Sequence, residues 1–311
     1  MKKTISFLLC LVPFVAFILI QNIVATVYYI VETATRVVMD PSSALNPNRL
    51  INDISTDTEL TMMIMIIAEL TAIVAFGLFY RFAMKERAAS LRETFSPAGL
   101  VSVILLFVGF ECVVSSLLLL AQTFMPKAMA DYAEKIEDMG IGELSLVSTL
   151  VAVILAPIAE EIVYRGVTFK LTRQFTDKFW AANLFQAFIF GLAHEVTQII
   201  LVLMGQGKFT VPIQGIYAFA MGLLLGYIYR KFNSLWATIL AHLSFNFAGT
   251  WLVSLIYPGE EFPLWKPIVV GVIAAAVIIA SMKVIGTDKK ARINEAGFNS
   301  KYRLENPPKM I

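Results

Sequence analysis

The chain has 311 residues, 58% of them hydrophobic and only 15% charged, with a mean hydropathy of +0.74 and a formal net charge of +2. A soluble domain of this length carries far more charge, so the composition excludes a water-soluble globular enzyme and makes lipid the natural solvent. The net charge of +2 is a topology signal rather than a nucleic-acid signal.

In chain order, eight apolar runs stand out, at 5–31, 60–80, 98–124, 144–169, 179–204, 211–229, 235–257 and 267–285. A helix of roughly 20 residues crosses about 30 Å of hydrocarbon, so these runs predict an all-α, polytopic membrane helix bundle of about eight transmembrane helices. The first run follows Lys2 and Lys3 but is too long for a signal peptide, and no clean small-x-small cleavage site follows it. Segment 39–58, rich in Asp, Asn, Ser and Pro, reads as an external loop. Segment 128–139 alternates charged and apolar residues as a short surface helix does. The basic tail after Gly286 is expected to be solvated or to lie on anionic lipid.

Cytoplasmic loops retain Lys and Arg, and here 18 cations fall on one side of the eight-span arrangement and six on the other. The six are Arg36, Arg49, Lys127, Lys135, Lys208 and Lys266. This asymmetry predicts a multi-pass integral membrane protein with both termini cytoplasmic, and a bacterial plasma membrane is the expected setting. Cys10 and Cys112 each lie inside an apolar run, which fits packing residues better than a disulfide or a metal knuckle.

A charged side chain at the centre of a bilayer costs about 2.5–3.5 kcal/mol on insertion scales, so each one inside a span is a candidate functional group. The fourth run concentrates them, with Glu160, Glu161 and Arg165 between apolar residues, and Pro157 and Gly166 where the helix can break. The only two histidines, His194 and His242, lie in the fifth and seventh runs. Residues four apart share a helix face, so Glu161 and Arg165 form the natural ion pair, and Glu160 is turned to another face where it can act on water. The same spacing places His242 beside Asn246, where imidazole and carboxamide can donate to one oxyanion. A carboxylate to take a proton, an imidazole to hold water and a donor pair for developing negative charge are the parts of a hydrolase.

Glu160-Glu161-x-x-x-Arg165, Phe190-x-x-x-His194 and His242-x-x-x-Asn246, in this order and each in an apolar run, resemble the motifs of the CPBP intramembrane proteases (CAAX protease and bacteriocin-processing proteins). That group holds the type II CAAX prenyl endopeptidases and bacterial Abi-type proteins. The resemblance implies an intramembrane endopeptidase that hydrolyses a peptide bond in a membrane-bound peptide or protein, prenylated CAAX-type or a peptide precursor. It also implies roles. Glu160 would activate water, His194 would position it, His242 and Asn246 would form the oxyanion site, Glu161 and Arg165 would support them, and Phe190 would shape the pocket. The family is commonly labelled metalloprotease. No cofactor is favoured here, because Asn246 beside His242 is better explained as an oxyanion donor; zinc, if used, would take Glu160, His194 and His242. The expected organisation is 1–143 for the first three helices, 144–257 for a CPBP-like catalytic core, 258–286 for the eighth helix and 287–311 for the basic tail.

Other readings remain. Glu160, Glu161 and Arg165 alone could be a structural ion network, and Phe190 alone could be ordinary packing. Glu69, Glu111, Glu195 and Gln198, also polar within the runs, either line a water-filled cavity or pair with neighbouring helices. His194-Glu195-Val196-Thr197-Gln198 approaches the zinc motif HExxH, but Gln198 replaces the second histidine. Whole-protein alternatives are a proton-coupled transporter and a non-catalytic membrane scaffold or immunity protein.

Overall fold

Helix starts in this chain are set by local chemistry that the sequence displays. Asp57 accepts from the Leu60 N–H at the head of α2 (Thr58–Ala83), and Ser96 accepts from the Gly99 N–H ahead of Pro97, which opens α3 (Pro97–Phe124). Before α2 comes α1 (Val12–Met39), and after α3 comes a short amphipathic α4 (Pro126–Asp138). The motif helix is α5 (Leu146–Arg173), followed by α6 (Phe179–Ala193) and α7 (Val196–Leu203). Three long helices follow: α8 (Ile213–Phe232), α9 (Leu235–Ile256) and α10 (Trp265–Thr287). Asn233, with φ of 48°, takes the left-handed conformation that ends α8 and lets α9 turn back. Asp288 then accepts from the Ala291 N–H at 2.8 Å and starts α11 (Lys289–Lys301).

This computed structural model describes residues 8–86, 89–138, 145–208, 210–259 and 262–302, and among them every regular element is helical. Among the described residues six helices are long and apolar enough to cross a membrane, or seven if the bent pair α6 and α7 is one span. The chain is therefore an all-α integral membrane bundle, as expected, and the count of eight is not confirmed. The sixth apolar run is the one not counted among them, although it runs from one end of the bundle to the other. It forms α8, in which Gln214, three tyrosines and the terminal Arg230 and Lys231 dilute the hydropathy. That composition suits a helix packed inside the protein, and Ala218, Leu225 and Ile228 on α8 are fully buried.

Two other expectations change. Segment 39–58 is not irregular, since it holds a tight turn of helix at Pro41–Leu45 and a helix at Pro47–Ser55 whose Leu50 and Ile54 are buried. The tail after Gly286 is not free in solvent over the described residues. Its helix α11 docks on the bundle end through Phe298, packed among Phe169, Phe179 and Tyr229, and through Lys290, which donates to the Phe95 carbonyl at 2.9 Å. The expected surface helix is present as α4. Lys2, Lys3, Arg87, Arg303 and Lys309, counted on the basic side, lie outside the described residues, as do Met139 and Leu144.

The bundle has two distinct ends. At one, α11 meets the α2–α3 connection, the end of α5 and the end of α8: Lys301 and Lys170 pair with Glu86, Arg230 and Lys231 pair with Glu295, and Arg173 donates to the Tyr302 carbonyl. At the other, α4 reaches the α6–α7 break and the start of α8. Between them a continuous apolar core including Phe107, Val163, Tyr164, Phe190, Met221 and Phe245 surrounds the middle of α5. Cys10 and Cys112 are both buried and neither is in a disulfide.

Candidate active site

Glu160 and Glu161 occupy an α-helical stretch, Ala156–Glu161, with a wider winding on each side at Leu150–Leu155 and Ile162–Thr168. In these windings a backbone N–H reaches five residues back: that of Ala156 bonds the Val151 carbonyl, and that of Phe169 bonds the Tyr164 carbonyl. Pro157 explains part of the first. It has no N–H, and it is the residue that the five-residue pattern would pair with the carbonyl of Ala152. Asn246 supplies the missing donor instead, with Nδ2 2.7 Å from the Ala152 oxygen. The amide has a second hydrogen, so this contact leaves Asn246 one donor for other use.

Helix α5 runs on through Pro157 and Gly166 and presents three charges inward. Glu161 and Arg165 are both fully buried, and Glu161 Oε1 lies 2.7 Å from an Arg165 guanidinium nitrogen, the pairing the spacing predicts. A desolvated guanidinium keeps its charge, so Glu161 is its ionised partner and an acceptor only. That fixes the next contact. Nδ1 of His242, on α9, lies 3.0 Å from the same Glu161 oxygen and must carry the proton. Nε2 of His242 then faces Glu160, whose Oε2 is 3.6 Å away, beyond direct hydrogen-bond length. Glu160 differs from its neighbour in access, because its side chain is 18% exposed where that of Glu161 is 0%.

Phe190, on α6, ties the remaining parts together. Its ring lies 4.5 Å from the Arg165 guanidinium carbon, 4.8 Å from the His194 ring and 5.8 Å from the His242 ring, so the two imidazoles flank one aromatic side chain. Phe190 also positions His194 through its backbone, since Nδ1 of His194 lies 2.8 Å from the Phe190 carbonyl. A carbonyl only accepts, so Nδ1 is protonated and Nε2 of His194 is left with its lone pair, ready to accept from water. His194 sits where α6 gives way to α7 across a 59° bend.

The structure thus brings Glu160, Glu161, Arg165, Phe190, His194 and His242 into one cluster, with Asn246 against the adjoining backbone of α5. Residues 142–248 match the family model described as type II CAAX prenyl endopeptidase, Rce1-like. The match agrees with the CPBP resemblance of the three motifs, and the Rce1-like segment contains every one of their residues. Over these residues the chain is similar to a family of peptidases. Comparison with curated proteins and with solved structures returns no match.

Among the described residues no group of three His, Cys, Asp or Glu side chains is arranged to hold a metal ion, and Glu160, His194 and His242 do not form one. Glu69, Glu111 and Gln198 each have a hydrogen-bond partner. Glu69, on α2, accepts from Gln21 at 3.0 Å and is close enough to Glu160 to act on its charge, although it lies outside the Rce1-like segment. Glu111 accepts from Ser115 at 2.7 Å, and Gln198 donates to the Lys208 carbonyl at 2.6 Å. Neither Glu69 nor its place beside Glu160 follows from any local motif; an acidic residue inside an apolar run was the one signal that marked it.

Proposed function

We propose that the chain is an intramembrane endopeptidase that cleaves a membrane-bound peptide or protein by glutamate-activated water. The observation that carries this reading is the contrast between adjacent carboxylates: Glu161 is fully buried and paired to Arg165 and His242, whereas Glu160 is partly accessible and stands 3.6 Å from Nε2 of His242, beyond hydrogen-bond length. A paired carboxylate is held in place. An accessible one can take a proton.

In this reading Glu160 removes a proton from water while Nε2 of His194 accepts the other O–H, which aims the oxygen lone pair at the scissile carbonyl carbon. The carbon–oxygen bond forms and the carbonyl π pair moves to oxygen. The second amide hydrogen of Asn246, and Nε2–H of His242 in its imidazolium form, donate to that oxyanion. Glu161 is the countercharge for the imidazolium. Two carboxylates, one guanidinium and one imidazolium sum to zero, which lowers the cost of holding such a cluster away from water. Collapse of the intermediate breaks the C–N bond, and the proton held by Glu160 goes to the departing amine.

The substrate would be prenylated and CAAX-type, or a membrane-bound peptide precursor; its anchor in the bilayer would bring the scissile bond to a site inside the bundle. We also infer that both termini are cytoplasmic. The ends of α5 and α8 and the whole of α11, which carry Lys170, Arg173, Arg230, Lys231, Lys289, Lys290 and Arg292, gather at one end of the bundle, as the retention of positive charge requires.

The test is cleavage of a fluorogenic CAAX-type peptide and a panel of precursors by the purified chain in liposomes, comparing wild type, Glu160→Ala and His194→Ala with and without a strong chelator. Loss in both variants together with indifference to chelation is expected. Activity that survives Glu160→Ala would sink the assignment, and activity lost on chelation and restored by zinc would replace the metal-free mechanism.

A further inference from the structure

Glu195 follows His194 in the incomplete zinc motif, yet its carboxylate does not face the site. Oε1 accepts from the Gly215 N–H at 2.7 Å, and Oε2 lies 2.9 Å from Nζ of Lys135, which reaches across from α4. The same ammonium donates to the backbone carbonyl of His194, also at 2.9 Å. Lys135 therefore bridges the main chain of His194 and the side chain of its neighbour at the bend where α6 ends. Helical bonding thins out there, with the His194 N–H reaching the Gly191 carbonyl at 3.3 Å and that of Glu195 reaching Leu192 at 3.0 Å, each three residues back.

Two glycines make the arrangement possible. A Cβ on Gly191 would stand 2.6 Å from the Gly215 oxygen, and a Cβ on Gly215 would stand 2.7 Å from Cγ of Glu195. Their absence lets α6 and α8 close at the bend and lets Glu195 reach the backbone of α8. Glu195 is 7% exposed, so this charge is held by named partners in a largely water-excluded place.

We propose that Lys135 and Glu195 are positioning residues for His194, holding the bend so that the imidazole stays in register with Glu160 and His242. The ring is oriented from one side by the Phe190 carbonyl on Nδ1, and the backbone that carries it is held from the other by the ammonium of α4. The acidic residue of the near-motif then has a role that involves no metal and no proton transfer. This inference rests on the proposed role of His194 in holding water, and its test includes a readout that does not depend on cleavage.

His194 and His242 are the only histidines, so ¹⁵N-histidine labelling of the full chain in nanodiscs gives two imidazoles, assigned with His242→Gln. Lys135→Met is expected to shift or broaden the ring signals of His194 and to leave those of His242 in place. Glu195→Gln keeps the shape and an acceptor for Gly215 but loses the charge. It is expected to do the same, and it provides the readout if Lys135→Met lowers the folded yield. Tyr132→Phe is the control: it breaks the tie of α4 to α8, the 3.1 Å contact of Tyr132 with Tyr217, and leaves the contacts of Lys135 at the bend in place, so it is expected to leave His194 unmoved. In the cleavage assay, Lys135→Met should lower kcat on the order of 10²-fold with little change in KM, as small misplacements of a reacting group do, and Lys135→Arg should restore most of it. Unmoved His194 signals in folded Lys135→Met or Glu195→Gln would overturn the proposal, as would an equal disturbance by Tyr132→Phe. Wild-type protein that cleaves nothing would count against the peptidase reading alone, because the ring signals still decide whether the tie holds His194.

Discussion

Nδ1 of His242 lies 3.0 Å from Oε1 of Glu161, and this contact joins two motifs 81 residues apart in the chain. Glu161 Oε1 also takes the Arg165 guanidinium at 2.7 Å, so one oxygen holds both a structural and a chemical partner.

Replacing Glu161 by Gln keeps the shape and removes the charge. Breaking one half of a fully buried ion pair costs about 3–5 kcal/mol, because the other charge is left uncompensated. The variant should unfold at clearly lower temperature in detergent and lose cleavage at the same time. A variant as stable and active as wild type would show that Arg165 finds its countercharge elsewhere.

Glu160→Gln should behave in the opposite way. Glu160 holds nothing in place, so the thermal midpoint should stay near that of wild type while cleavage falls by about 10²–10⁴-fold, the usual range for a lost acid–base group. If both variants lose stability equally, the division of labour between the adjacent carboxylates is wrong.

For Asn246→Ala, two losses are expected together. The Ala152 carbonyl is left without its donor, worth about 1–3 kcal/mol for a buried group, and the oxyanion loses one hydrogen bond, worth about 10²–10³-fold in kcat. Unfolding and cleavage measured on the same preparation separate the two. An unchanged kcat would remove Asn246 from the chemistry and leave it as the partner of Ala152.

Acid should loosen α11. Burial pushes the Glu86 carboxyl up, but Lys170 and Lys301 beside it outweigh that and hold it below the ordinary carboxylate value. A depressed value in the folded state stabilises fully above the unfolded value of about 4.3, and the contribution is lost as pH falls through the folded one. Amide exchange across Lys289–Lys301 should therefore rise as pH is lowered below about 4. Glu86→Gln should remove this step, and a step that persists in it would assign the effect to other groups.

What the sequence displayed was whatever depends on short spacing. The Glu161–Arg165 pair, the placement of Phe190 beside His194 and the apolar runs all follow from helical repeat, and all are present. The tie of His242 to Glu161 was not legible, because His242 and Asn246 share a face and nothing local says that one turns to a carboxylate and the other to a backbone carbonyl. Helix α8 shows a related limit: an apolar run reads alike whether protein or lipid surrounds it. The charged α11 read as a solvated tail because its anchors, Phe298 and Tyr302, are only two rings among polar residues, and their partners lie over 60 residues away in the chain.

A winding that reaches five residues back is an added residue that the helix has absorbed rather than expelled as a loop. Helix α5 holds one such stretch before Ala156–Glu161 and another after it, so the carboxylate pair is rotationally offset from Leu146–Thr149 on one side and from Phe169–Arg173 on the other. The two ends of the helix can therefore satisfy their own surroundings, the exposed start at Leu146 and the docked α11, without dictating the angle at which Glu160 meets His242. Single-residue deletions within Leu150–Leu155, or at Val167 or Thr168, would couple them again, and would turn an end of the helix to the wrong neighbours while leaving every side chain of the site in the sequence.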